Sequence, residues 1–169
     1  MYTIISGTNR IGSHTLKIAR EYQQILNDKN IESVLFSLEN VNLLKRDEAF
    51  EKIENGIIVP TRNFIFISPE YNGSFPGALK LLFDTTKNYR VWANKKALLT
   101  GISAGKAGNL RGMDHLSDIL NFLDITVYPN KLPISMIDNL INDEKKLHNA
   151  ETLAAINKQL DGFIKWCND

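Results

Sequence analysis

Three polar segments hold the residues of this chain whose types and spacing could do chemistry. The first is Gly7-Thr8-Asn9-Arg10-Ile11-Gly12-Ser13-His14-Thr15, and a helical pattern opens directly after it at Leu16. Hydroxyls on Thr8, Ser13 and Thr15, the Arg10 guanidinium and the free N–H groups of a helix start form a cradle suited to a phosphate monoester. There is no Gly-Lys-Ser/Thr of a Walker loop, and Gly7 with Gly12 does not complete G-x-G-x-x-G. Taken alone, the same residues also read as a helix cap at Ser13 or Thr15 beside a solvated arginine.

The second segment, Ser68-Pro69-Glu70-Tyr71-Asn72-Gly73-Ser74-Phe75-Pro76-Gly77, is richer in turn formers than a strand-to-helix connection requires. Asn72-Gly73 favours a turn with positive φ, and Pro76 suits the first turn of a helix. Such a rigid loop can offer N–H groups to a planar ring while Tyr71 covers an apolar face; the bland alternative packs Tyr71 in the core. The third segment runs from Thr100 to Arg111 and contains Gly101, Ser103, Gly105 and Gly108. Its glycines let backbone approach a flat ligand edge. The Ser103 hydroxyl and nearby N–H groups could bond the pyrimidine side of an isoalloxazine, where negative charge develops on reduction.

The elements that must position these loops are legible as runs. Thr3–Ser6, Ser33–Phe36, Asn63–Ser68, Ala97–Ile102 and Ile125–Tyr128 are β-branched or apolar on nearly every residue, the mark of strands buried on both faces. Between them Leu16 to Leu26, Leu79 to Phe83, Leu110 to Leu123 and Leu147 to Ile164 keep helical spacing, and Leu43–Gly56 is a weaker helical segment. Alternating strands and helices predict an α/β fold, a three-layer α/β/α sandwich around a five-stranded parallel sheet of order 2-1-3-4-5, as one domain over residues 1–169. Ligands of such sheets bind beyond the carboxyl ends of strands one, three and four, where all three polar segments fall.

Composition bounds the partners. The 169 residues are 43% hydrophobic and 23% charged, with a formal net charge of +1 and no long basic run, so neither nucleic acid nor an anionic membrane surface is expected. Cys167 is the only cysteine, which suits a reducing compartment. With no apolar stretch of membrane-spanning length and no basic leader at the start, a cytoplasmic location is expected.

On Gly7-Thr8-x-Arg10-x-x-Ser13-x-Thr15, on Ser68-Pro69-Glu70-Tyr71-Asn72-Gly73-Ser74-x-Pro76-Gly77-x-Leu79-Lys80 with Asp84, and on the Ser103/Gly105/Gly108 loop followed by Arg111, the chain resembles the NAD(P)H-dependent FMN reductases, with their quinone-, azo-dye- and chromate-reducing relatives. The resemblance implies a flavodoxin-like fold, FMN as cofactor, NADPH or NADH as co-substrate, and ping-pong transfer to a flavin, quinone, azo compound or metal oxyanion. It implies that Thr8, Arg10, Ser13 and Thr15 hold the FMN phosphate, that Pro69–Gly73 line the ring, and that Ser103 and Gly105 contact its far side. With their neighbours, the candidate cofactor residues are Thr8, Asn9, Arg10, Ser13, His14, Thr15, Pro69, Glu70, Tyr71, Asn72, Gly73, Ser74, Ser103 and Gly105; no general acid, general base or metal ligand is named. Relatives of this kind imply a homodimer or homotetramer whose neighbouring chain completes the site. Thr8 in place of serine, His14 at a variable position and Thr85 where many relatives carry tryptophan depart from the pattern. Arg10, Lys106 and Arg111 are each able to meet a ribose 2′-phosphate.

Two other readings compete. Gly101-Ile102-Ser103-Ala104-Gly105 fits a nucleophile elbow, with Asp124 and His148 following in hydrolase order. A plain electron-transfer flavodoxin is the nearer rival, although such proteins are usually strongly acidic and this chain is almost neutral. Trp92, Trp166, His115 and the Asp143-Glu144-Lys145-Lys146 cluster read as structural or exposed, and Tyr89–Trp92 as a segment able to touch a neighbouring subunit.

Overall fold

The computed structural model describes residues 1–142 and 146–169; the first three residues of the Asp143-Glu144-Lys145-Lys146 cluster lie outside them. Four parallel strands, β1 (Tyr2–Ser6), β2 (Ser33–Ser37), β3 (Asn63–Pro69) and β4 (Lys95–Ile102), lie in the order β2-β1-β3-β4. Alternate residues of β3 feed opposite cores. Ile65 and Ile67 pack under α1 (His14–Asp28) and α5 (Ala150–Asn168). Phe64 and Phe66 pack under α2 (Glu48–Ile53), α3 (Gly77–Thr85) and α4 (Leu110–Phe122). Both faces are covered, which is why these strands read as continuous apolar runs.

The fifth position of the sheet differs from the expected single strand Ile125–Tyr128. It is shared by β5 (Ile125–Val127), which pairs Lys95–Ala97, and β6 (Leu132–Ile134), which pairs Thr100–Ile102. Pro129 falls in the break and Pro133 at the centre of β6, and a proline cannot donate to the ladder. Gln159 of α5 fills the gap: its Nε2 donates to Leu99 O at 3.0 Å and to Asn130 O at 2.9 Å. Its Oε1 accepts from the Tyr22 hydroxyl at 2.6 Å and from Thr100 Oγ1 at 3.1 Å, and those two hydroxyls are 2.6 Å apart.

The weak helical segment is shorter than its apolar spacing suggests. Leu43 and Leu44 stay in a loop, because Asp47 caps the helix by accepting from Phe50 N at 3.1 Å. A wider helical turn over Glu54–Ile58 continues it, and buried Lys95 donates to the carbonyls of Ile58 and Val59 at 2.9 Å and of Thr61 at 2.5 Å. The loop before α2 is held by Arg46, paired with Glu51 and, at 2.8 Å, with Glu54; Glu54 also accepts from Lys87 N at 2.7 Å. At the other end, Leu147 lies outside α5 and bridges to Ile141, since Asn149 caps that helix through Thr152 N. Trp92 sits in the core against Phe64 and Phe83, with its Nε1 donating to Thr86 Oγ1 at 3.1 Å. Of the Tyr89–Trp92 aromatics only Tyr89 is therefore available to a neighbour. Among the described residues no helix is long and apolar enough to cross a membrane.

Candidate cofactor site

The loop from β1 to α1 leaves the sheet at Gly7, whose N–H donates to Ile67 O at 2.8 Å; a Cβ here would stand 2.9 Å from that same oxygen. Ser13 then caps α1 by accepting from Leu16 N at 3.2 Å. That leaves the first-turn N–H groups of His14 and Thr15 without an acceptor among the described residues, open to an anion at the positive end of the helix. Arg10, Ser13 and Thr15 face a cleft of about 440 Å3.

The loop from β3 to α3 is a tight hairpin. Tyr71 and Ser74 exchange backbone hydrogen bonds at 2.8 and 3.1 Å across Asn72 (φ 53°) and Gly73 (φ 77°), the two-residue turn with both central residues at positive φ that Asn-Gly favours. Glu70 N donates to Ile102 O at 2.8 Å, clamping the loop to the end of β4. The Tyr71 hydroxyl lies 2.8 Å from Thr8 Oγ1, and the Arg10 guanidinium stacks 4.9 Å over the Tyr71 ring.

The loop from β4 to α4 is braced internally. Ser103 Oγ donates to Gly105 O and accepts from Gly108 N, both at 2.8 Å. Asn109, in the left-handed conformation, donates through Nδ2 to Ser68 O at 2.9 Å and so ties this loop to β3. Protein packing accounts for most of the glycines: a Cβ on Gly101 would stand 2.2 Å from Gly108 O, and one on Gly108 would meet Pro133 at 2.5 Å. Gly105 alone of the three loop glycines has open space around it. Gly105–Ala107 and the tip Asn72–Gly73 form the walls of a slot of about 400 Å3. This slot and the anion cleft share Glu70, Ser103 and Ala104, so the two join in one trough.

The predicted residues thus divide by what their side chains touch. Arg10, Ser13, Thr15, Pro69, Glu70, Asn72, Gly73 and Gly105 line the trough. Thr8 is buried beneath Tyr71, and Tyr71 itself walls the cleft. The Ser103 hydroxyl is used within its own loop, and Ser74 Oγ lies 2.9 Å from His115 Nδ1. His14 donates from Nε2 to Asp138 at 2.9 Å and accepts at Nδ1 from Lys17 Nζ at 3.2 Å, so its ring ties α1 to the turn Ile137–Asn139. Asn9 faces a separate apolar groove between Leu43 and Leu81. Ile137 and Asp138 also line the cleft, brought there by β6, which pairs the carboxyl end of β4; sequence reasoning missed them because β6 itself was not legible.

Ser103, Asp124 and His148 do not form a nucleophile elbow with its partners. The Ser103 hydroxyl is committed to Gly105 and Gly108, and Asp124 O accepts from Asn94 N at the far end of β4, roughly 25–30 Å away along the strand. His148 is exposed, with its N–H on Leu140 O.

A doubly wound parallel sheet of order 2-1-3-4-5, with a cleft and a slot joined at its switch point, defines a flavodoxin-like α/β protein. The chain belongs to the NADPH-dependent FMN reductase family, whose description matches residues 2–138. It is 33% identical over 107 residues to an NAD(P)H-dependent FMN reductase of Pseudomonas aeruginosa, covering 60% of this chain and 57% of that protein. It is 25% identical over 116 residues to a 2-hydroxy-1,4-benzoquinone reductase of a Burkholderia species, covering 66% of this chain and 63% of that one. The matched stretch therefore spans less than two thirds of either relative. The flavoenzyme NAD(P)H:(acceptor) oxidoreductase of Paracoccus denitrificans has the same fold, with a TM-score of 0.83 over 98% of this chain and 95% of that one at 20% identity.

Proposed function

We propose that this chain is an FMN-dependent NAD(P)H oxidoreductase. The observation that carries the reading is the continuous trough: an anion cradle at the α1 N-terminus joined, through Glu70, Ser103 and Ala104, to a slot with flat backbone walls. The donor set fits FMN. Arg10, Ser13 and the His14 and Thr15 N–H groups would hold the phosphate. Asn72–Gly73 and Gly105–Ala107 would flank the ring, with open Gly105 admitting its edge.

Bound there, FMN supplies a ring that can take hydride from NADPH or NADH and pass electrons, in ping-pong order, to a flavin, quinone, azo compound or metal oxyanion. The protein's part is to hold and orient. Thr8 fixes Tyr71, Tyr71 supports Arg10 by cation–π contact, and the Asn109–Ser68 bond keeps the two slot walls at constant separation. His14 gives Asp138, a carboxylate that lines the cleft, a hydrogen-bond donor within the protein. The near-neutral net charge favours small acceptors over a basic protein partner, the lone half-buried Cys167 favours the cytoplasm, and the chain works as a homo-oligomer.

Gel filtration after mixing with a slight excess of FMN tests the binding. Yellow protein with one flavin per chain is expected; flavin emerging entirely with the salt fraction would contradict the assignment.

A further inference from the structure

We propose that a third cleft, running from the anion cradle along the exposed side of α1, takes the adenosine monophosphate half of a flavin dinucleotide, so that the chain holds FAD as well as FMN. The proposal rests on the flavin reading above.

The cleft measures about 910 Å3, within the size range of small-molecule sites and larger than either part of the trough. It shares Ile11, Gly12 and Ser13 with the anion cleft, so a ligand held by one phosphate in the cradle can continue into it. Beyond the cap Ser13, Lys17, Arg20 and Gln24 follow at helical spacing and line the cleft as one stripe of α1. Arg20 is exposed, and its guanidinium has no partner among the described residues. It stands roughly 10 Å along the helix from Ser13. Helical side chains lean toward the N-terminus of their helix, so this free cation reaches back toward the cradle, as a second phosphate requires. Lys17 adds another positive charge, 3.2 Å from His14 Nδ1.

The walls suit a nucleoside. Ile11 at the loop tip is 75% exposed and Leu16 beside it is half-buried, an apolar platform for the face of a purine. Opposite them is Glu39. Because β2 pairs β1 in parallel with Ser37 level with Ser6, Glu39, just past β2, leaves the sheet beside the β1 to α1 loop. Its Oε1 accepts from Gly12 N at 3.1 Å, and its Oε2 has no partner among the described residues. An acidic side chain at the end of the strand next to the phosphate loop is where dinucleotide-binding sheets accept from ribose hydroxyls. Glu21, the other carboxylate of the cleft, lies beside Lys146. FMN ends at its phosphate and reaches none of these groups; FAD carries the second phosphate, the ribose and the purine that they match.

Isothermal titration calorimetry of the flavin-free chain with FMN and with FAD tests the assignment. One FAD per chain is expected, with a dissociation constant no higher than that of FMN. Arg20→Glu should raise the FAD constant at least about tenfold, the loss of a charge-assisted phosphate contact, and leave FMN within about twofold; Arg20→Lys should keep most of the FAD binding. FAD bound more than about tenfold more weakly than FMN, or an Arg20→Glu variant that weakens both flavins alike, would overturn the proposal and leave the flavin reading in place. An FAD-to-FMN ratio unmoved by Arg20→Glu, with NADPH binding weakened instead, would give the cleft to the nicotinamide nucleotide and likewise overturn it. Binding of neither flavin would refute the flavin reading itself.

Discussion

Replacing Gln159 by leucine removes the side chain that bridges the break between β5 and β6. The carbonyls of Leu99 and Asn130 lose the amide that donates to both, while Tyr22 and Thr100 keep each other at 2.6 Å. Two carbonyls left short of a donor, at about 1–2 kcal/mol each, give an expected loss of roughly 2–4 kcal/mol. In urea denaturation with an unchanged slope of about 2 kcal/mol per M, the midpoint falls by about 1–2 M. Gln159→Glu makes a sharper case. Its carboxylate would face two carbonyl oxygens in a buried site, so its folded pKa is raised above the unfolded value. The carboxyl is therefore tolerated below the ordinary carboxylate range, and the deficit grows as pH rises toward neutrality. A Gln159→Leu variant within about 0.5 kcal/mol of wild type, or a Gln159→Glu deficit flat with pH, would refute the claim that this side chain bridges the broken strand.

Further outcomes test other parts of the structure. Arg10→Ala should weaken FMN binding about 10- to 150-fold by removing a charge-assisted phosphate contact, and leave riboflavin, which lacks the phosphate, unaffected; fluorescence titration of both ligands checks it. Burial pushes the Glu54 carboxyl up, but bonds from Arg46 and Lys87 N outweigh this and hold it below its usual 4.5. A depressed folded pKa contributes stability that is complete above the usual value and is lost as pH falls through the folded one, so Glu54→Gln should flatten the acid side of a stability profile measured in urea from about pH 6 to about pH 3. Gly101→Ala forces a Cβ to within 2.2 Å of Gly108 O and should cost about 1–3 kcal/mol. Gly105→Ala should keep wild-type thermal stability within about 0.5 kcal/mol and weaken only the flavin.

Much of the fold was legible because its strands are buried on both faces and therefore read as unbroken apolar runs, of which Asn63–Ser68 is the clearest. β6 escaped because Leu-Pro-Ile with a proline at its centre reads as a turn, and only the pairing of Thr100–Ile102 makes it a strand. Leu147 was drawn into the last helix by its spacing, although Asn149 with Thr152 marks the true start. In the site, residue types located the three loops and the Asn72-Gly73 turn, but not what each hydroxyl does. Serine and threonine in a loop compete for nearby backbone groups and for each other, and Ser103, Ser74 and Thr8 are all committed in this way to Gly105 and Gly108, to His115 and to Tyr71. Glycine meaning was equally hidden: Gly101 and Gly108 serve packing against Asn109 and Pro133, and of the three only Gly105 has open space around it.

On the proposed function, the trough at the carboxyl end of the sheet binds FMN and presents it to a nicotinamide nucleotide. The most direct measurement of this is the visible absorption spectrum of the FMN-loaded protein under anaerobic conditions, before and after addition of NADPH and then NADH. Loss of the oxidised flavin bands with at least one nucleotide, and their return on adding a quinone, is the expected result. Bound flavin that neither nucleotide bleaches would contradict it.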